Sequence, residues 1–304
     1  MSDTAASLRR KIAGAGDLQS VVRTMKALSA ANIGQYEQSA RALADYYRCI
    51  ELGLGVCFRH GNPAVWSENG TAQADAADNA AVGAIVFGTD QGLVGRFNEV
   101  VADHAIKTLA DLPGEHQVWA VGQRVHARLA DAGLLPAGLF AVPNSVRAIT
   151  PLVGQILLES ETFLAQGANA ELRLFYNRPD SGAAYAPIGQ RLLPLDNTWR
   201  IKLIAQAWPT NNLPELIGNS TATLRAIVRE YLFVSIFRAC AESLASENAS
   251  RLAAMQRADK NIDELLEDLK RTSHRLRQSS IDEELFDVIS GFEALSGEKR
   301  ETSR

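Results

Sequence analysis

The stretch with the most chemical promise is Gly88-Thr89-Asp90-Gln91-Gly92-Leu93-Val94-Gly95, which follows an apolar run and opens an amphipathic segment. In a doubly wound fold a phosphate binds at such a place, because the amides of a helix N-terminus attract anions. The spacing departs from both phosphate-cradling patterns: there is no GxGxxG here, and no GxxxxGK[ST] anywhere in the chain. Glycines at Gly92 and Gly95 are equally what a tight strand-to-helix turn demands. Two readings stand, a structural turn and a nucleotide site, and the missing motifs favour the turn.

Other reactive groups are scattered. His60, His104, His116, His126 and His274 include no HxxxH pair, and neither GxSxG nor CxxC occurs. Asp90 is the best-placed lone acid, but no partner base can be named for it. Cys49, Cys57 and Cys240 have no metal-ligand spacing and fit a reducing compartment without a disulfide framework. No catalytic residues, no metal ligands and no cofactor are expected.

Composition narrows the partners. Net charge is about +3 over residues 1–60, −5 over 61–218 and −2 over 219–304, so no segment is basic enough to make nucleic acid a default partner. The longest apolar run, residues 80–88, falls far short of the ~20 residues that span a bilayer, so any membrane association runs through a partner without direct insertion. Polar residues lead straight into Leu8-Arg9-Arg10-Lys11-Ile12, and no signal peptide is expected.

The elements that would position any site are set by breakers. Residues 219–290, between Gly218 and Gly291, contain neither glycine nor proline and are rich in Ala, Leu, Glu, Arg, Lys and Gln. A single helix follows, reaching roughly 110 Å at about 1.5 Å per residue. A compact chain of this length has a radius of gyration of about 19 Å, so such a helix projects from its body. Leu295, Phe292, Val288, Leu285 and Ile281 fall at steps of three and four, and Leu276, Leu269, Leu265 and Ile262 continue the stripe. That heptad seam needs another helix to cover it. Its charged residues, Arg251, Arg257, Asp259, Asp263, Glu267, Asp268, Arg275 and Arg277, read as a solvated face.

The partner stripe lies at the other end of the chain. Ile33, Tyr36, Ala40, Leu43, Tyr47, Ile50 and Leu54 alternate three and four, and Leu8, Ile12, Ala15, Val22 and Met25 extend them backwards. Gly14 and Gly16 predict a local bend. All ten prolines lie between Pro63 and Pro214, so the two ends are helical and the middle is not. Residues 61–81 read as a flexible loop. Strand signals at 82–87, 117–121, 139–142, 171–176 and 188–195 alternate with helical ones at 96–109, 123–132 and 149–164, which predicts a mostly parallel α/β layer. The fold class is therefore α/β: a long antiparallel coiled coil of N- and C-terminal helices with an inserted Rossmann-like α/β domain. The expected domains are 1–60 (helix), 61–81 (loop), 82–213 (α/β foot), 214–295 (helix) and 296–304 (charged tail, emerging or frayed).

Three stretches make the pattern specific. Glu242-Ser243-Leu244-Ala245-Ser246-Glu247-Asn248-Ala249-Ser250-Arg251-Leu252-Ala253-Ala254-Met255, followed by Arg277-Gln278-Ser279-Ser280-Ile281, Glu284-Leu285 and Ile289-Ser290-Gly291, resembles the C-terminal signature of the gamma subunit of rotary ATP synthases. Residues 18–30, Leu18-Gln19-Ser20-Val21-Val22-Arg23-Thr24-Met25-Lys26-Ala27-Leu28-Ser29-Ala30, resemble that family's first-helix motif, and residues 89–98 its strand-turn motif, with Val94 and Arg96 where Cys and Gly are common.

The resemblance implies a central stalk, coupling ion flow through a membrane ring to ATP synthesis or hydrolysis in a hexamer of alpha and beta subunits. It implies those subunits, the epsilon subunit and the membrane c-ring as partners, at the cytoplasmic face of a bacterial plasma membrane. Carried over residue by residue, Met25, Lys26, Arg277, Gln278 and Glu284 would contact the hexamer. Ile281, Leu285, Val288, Ile289, Phe292 and Leu295 would form an apolar bearing. Asp282 and Asn32 stand where Thr and Lys are common, pointing towards a divergent or alternate form. The alternative is a nucleotide-binding α/β enzyme dimerised by its coiled coil; a scaffold without rotary partners would leave the paired end motifs unexplained.

Overall fold

Helix α6 spans Ser220–Glu301 and α1 spans Ala5–His60, each without interruption. The computed structural model describes residues 4–60, 81–165, 170–180, 185–212 and 214–301, with side chains as far as 290 in the last helix. The loop expected at 61–81 thus lies outside the described residues except for Ala81, as do residues 302–304 of the tail. Gly14 and Gly16 lie within α1 without interrupting it, and α6 runs through Gly291 and past residue 295, into the stretch read as a charged tail, as far as Glu301. A lone glycine weakens a helix by about 1 kcal/mol, too little to end one supported on both sides by good helix formers.

The chain divides into two compact units, residues 29–252 and residues 1–28 with 253–304. Between α1 and α6 the elements are β1 (Val82–Phe87), α2 (Phe97–Ala110), β2 (His116–Val121), α3 (Gln123–Asp131), β3 (Gly138–Phe140), α4 (Val146–Leu164), β4 (Glu171–Arg178), β5 (Ala186–Leu193) and α5 (Asn197–Ala205).

In the unit of residues 29–252 these strands make one sheet, ordered β3-β2-β1-β4-β5. The first four are parallel and β5 runs antiparallel to β4. The reason is length: residues 179–185 are too few for a parallel crossover, which takes a dozen or more. Strand β1 is buried at every position because both faces are covered, which is why it reads as a continuous apolar run. Val82, Ala84 and Val86 meet Val101, Ala105 and Leu109 of α2 and Val125 and Leu129 of α3. Ile85 and Phe87 face the opposite core, which holds Ile149, Val153 and Ile156 of α4, Leu54 and Phe58 of α1, and Tyr231, Val234, Ile236 and Phe237 of α6.

The α1 and α6 segments of this unit run antiparallel: Tyr46 donates to Glu230 at 2.8 Å, and further along α1 a Cβ on Gly53 would meet Ile227 at 3.4 Å. Helix α5 is an addition that no periodic signal announced. Its Asp196 N-cap accepts from the Thr198 amide, and a single side chain, Leu203, is buried.

In the unit of residues 1–28 and 253–304 the two helices are also antiparallel, as the pairings of Gln19 with Asp263 and Lys26 with Asp259 require. Ala15 and Val22 pack with Met255, Ile262 and Leu266, with Ile12 and Met25 at the margin. Leu266 takes the seam position expected for Leu265, which is exposed.

Candidate partner-docking surface

At the far end of α6 the apolar stripe persists, but none of the described residues covers it. Ile281 is 53% exposed, Leu285 56%, Phe286 69%, Val288 69% and Ile289 45%, on a helix whose every described residue from 275 to 290 is exposed. Isolated exposed apolar residues are ordinary, whereas a contiguous run of this kind marks a surface that another body covers. Arg277, Gln278 and Glu284 lie exposed on the same stretch. The side chains of Phe292 and Leu295 lie outside the described residues. Phe286 belongs to the surface although the heptad spacing omits it; its place beside Leu285 in an unpartnered segment was the available signal.

Met25 and Lys26 form a separate station. The Lys26 Nζ donates to Asp259 Oδ2 at 2.9 Å and the Arg23 Nε to Oδ1 at 3.2 Å, while Met25 packs against the small core between the helices. The hydrogen bond from Lys26, aided by Arg23, holds the Asp259 carboxyl below its ordinary range. Eighteen residues of α6 separate Asp259 from Arg277, about 27 Å at the helical rise, so the five residues expected to contact the hexamer fall at two stations along the unit and not in one cluster.

The turn at residues 88–95 is filled by its own groups. The Thr89 amide donates to Asn98 Oδ1 at 3.0 Å, and Asn98 Nδ2 returns a bond to Thr89 Oγ1 at 2.9 Å. Asp90 accepts from the Gln123 amide at 2.9 Å and from the Val142 amide at 2.8 Å. That carboxylate sits at the N-terminus of α3, where a phosphate would otherwise gain the most, and repels a second anion. A Cβ on Gly88 would stand 2.4 Å from that of Val125, so helix and strand approach too closely for any other residue. Gly95 has φ +60, in the left-handed region; the nearest side-chain heavy atom to a Cβ on Gly92 is Arg124 Nη2 at 3.8 Å.

The charged face of α6 also differs from a solvated one at two points. Asp259 is buried by its bridges, and Arg251 is partly buried in an ion pair with the buried Glu247 one turn earlier. Their i, i+4 spacing was readable, but burial was not.

Comparison with known proteins completes the picture. The family model for ATP synthase matches residues 4–295. Over 300 residues the chain is 26% identical to the ATP synthase gamma chain of Clavibacter sepedonicus, covering 95% of this chain and 97% of that one. The gamma chain of Brucella anthropi is 27% identical over 299 residues, covering 95% and 98%. Among solved structures, a chain of the Euglena gracilis mitochondrial ATP synthase OSCP/F1/c-ring assembly superposes with a TM-score of 0.60 at 16% identity, covering 97% of this chain and 95% of that one. The Tetrahymena thermophila central stalk and c-ring structure gives 0.53 at 16% identity, covering 78% and 99%.

An α/β sheet inserted between antiparallel helices, one of which ends in an uncovered apolar stripe, defines a stalk-type subunit of a larger enzyme complex. The chain belongs to the gamma-chain family of ATP synthase, and its role is that of the central-stalk subunit.

Proposed function

We propose that this chain is the non-catalytic rotor shaft of a bacterial ATP synthase, transmitting rotation between a membrane c-ring and a hexamer of alpha and beta subunits. The observation that carries the reading is the end of α6, where Ile281, Leu285, Phe286, Val288 and Ile289 form an exposed apolar run. These residues, with Phe292 and Leu295, form the bearing in the bore of the hexamer. Arg277, Gln278 and Glu284 grip the catalytic subunits beside it, and Met25 with Lys26 meets their moving levers lower down. The epsilon subunit and the c-ring engage the α/β body.

The mechanism needs stiffness and asymmetry more than reactive groups. A shaft without three-fold symmetry presents a different face to each catalytic subunit. Its angle therefore selects different conformations, and so different nucleotide affinities, at three otherwise equal sites. Gly92 and Gly95 then serve a structural turn, with the Asp90 carboxylate holding the α3 N-terminus. Among the described residues no helix is long and apolar enough to cross a membrane. The place proposed for the chain is peripheral, at the cytoplasmic face of the plasma membrane, through the ring.

The test is the double substitution Arg277→Ala with Gln278→Ala in the assembled complex. Coupled ATP turnover should fall by roughly tenfold, the scale of one or two lost charge-assisted contacts, while the isolated chain melts as before. Normal turnover in that variant would refute the assignment of these two residues.

A further inference from the structure

Within the unit of residues 29–252, apolar packing holds α6 against the sheet as far as Ala245. Such packing is non-directional and resists separation better than rotation or sliding. Beyond Ala245 the contacts change character. Ser246, Glu247, Asn248 and Ser250 are all buried. Glu247 accepts from Arg251 Nη2 at 2.5 Å, with side chains only 8% and 11% exposed. Ser250 Oγ donates to the Val94 carbonyl at 2.5 Å.

The carbonyl that receives Ser250 is itself aimed by unusual backbone. Leu93 has φ +65 and Gly95 φ +60, so Val94 is flanked by two left-handed residues. For a leucine that conformation is uncommon, and it persists where surrounding contacts over-determine it. Burial pushes the Glu247 carboxyl up from its ordinary value, and the Arg251 guanidinium opposes that rise. The ion pair is thus held largely out of water one residue from Ser250 on α6.

We propose that Ser250, presented by α6 beside the Glu247–Arg251 ion pair of the same helix, is a polar latch that keys α6 to the 89–95 turn of the α/β body, so that twist applied to the body reaches the helix without slip. This rests on the shaft reading. The three are positioning residues, acting through the turn and touching no nucleotide. The hydroxyl hydrogen bond that crosses to the turn has a narrow good geometry, which sets the rotational register that the apolar contact leaves soft, and the charge-assisted pair within α6 fixes the helix face that presents it.

The experiment uses the whole complex, assembled with alpha and beta subunits and reconstituted with its ring in lipid vesicles. Ion pumping per ATP hydrolysed is measured for the wild type, Arg251→Ala, Arg251→Lys and Ser250→Ala. For Arg251→Ala the latch predicts several-fold less pumping per ATP, with assembly and hydrolysis within about twofold of wild type, and substantial recovery in Arg251→Lys. A merely structural role would lower assembly, hydrolysis and pumping together. Unchanged pumping per ATP in Arg251→Ala would overturn the proposal. Should that variant fail to assemble, Ser250→Ala, which removes one hydroxyl, decides the matter by the same readout.

A wild-type chain that did not join alpha and beta subunits would instead sink the shaft reading. The latch would then be tested in the full-length chain by amide exchange at residues 89–95. Roughly tenfold faster exchange in Arg251→Ala is expected, and unchanged exchange would overturn it.

Discussion

Two stretches of the same helix carry similar residues in opposite surroundings. In α6, Val234, Ile236, Ala239 and Ala241 are essentially inaccessible, enclosed by the sheet, α4 and α1. Near its other end Leu285, Phe286 and Val288 are more than half exposed. Helix propensity and apolar content do not separate the two stretches; what differs is whether this chain supplies the covering partner. An apolar stripe reports that burial occurs somewhere, and only the structure reports whether it occurs within one chain. The uncovered stretch is therefore the surface proposed above to meet the alpha and beta subunits.

The sharpest way to break this comparison is to place one charge at both ends. Val234→Asp puts a carboxylate in a sealed core and should destabilise its unit by about 4 kcal/mol or more, enough to lose cooperative melting by circular dichroism. Val288→Asp should shift the isolated chain by no more than about 0.5 kcal/mol, yet abolish its assembly with alpha and beta subunits on native gels. Equal effects of the two substitutions on the isolated chain would erase the distinction.

A smaller effect is expected within the body. Gly88→Ala forces a Cβ to within 2.4 Å of Val125 and 2.7 Å of Asn98 Oδ1, and the strand-to-helix contact must open. The expected loss is about 1–3 kcal/mol, read from the denaturant midpoint. A neutral result would mean that the body is as yielding as the exposed helix end.

The smallest effect concerns the paired segment of residues 1–28 and 253–304. Asp259 has a folded pKa below its unfolded one, owing first to the hydrogen bond from Lys26 and then to Arg23. Its contribution is fully present above the ordinary carboxylate range and is lost as pH falls through the depressed folded value. Acid should loosen amide protection around residues 19–26 and 255–263 while the body stays protected, and Asp259→Asn should remove that acid dependence. A variant with the same acid limb would place the dependence elsewhere.

Much of this architecture was legible in the sequence because its signals are long or doubly determined. Prolines confined to the middle and an unbroken run from 219 to 290 announce two helical ends, and β1 could be read to the residue because both faces of it are buried. Weaker signals were less decisive. The charged stretch after residue 295 carries no apolar stripe, yet α6 continues into it as far as Glu301 because most of its residues are adequate helix formers. Leu265 and Leu266 are adjacent, and a one-residue choice decides which enters the seam; the small rotation that selects Leu266 is set by packing against Ala15 and Val22. Helix α5 buries one side chain and so leaves no periodic trace. The contact residues were named through family resemblance, while their separation into two stations follows from the Lys26–Asp259 bridge, which joins residues 233 positions apart.

The most direct measurement is native mass spectrometry of this chain co-expressed with alpha and beta subunits, alongside the ATPase activity of the purified complex and of the chain alone. The shaft account predicts one copy of this chain to three of each partner, with activity in the complex and none in the chain by itself. A stable homodimer that ignores the hexamer and binds nucleotide on its own would contradict it.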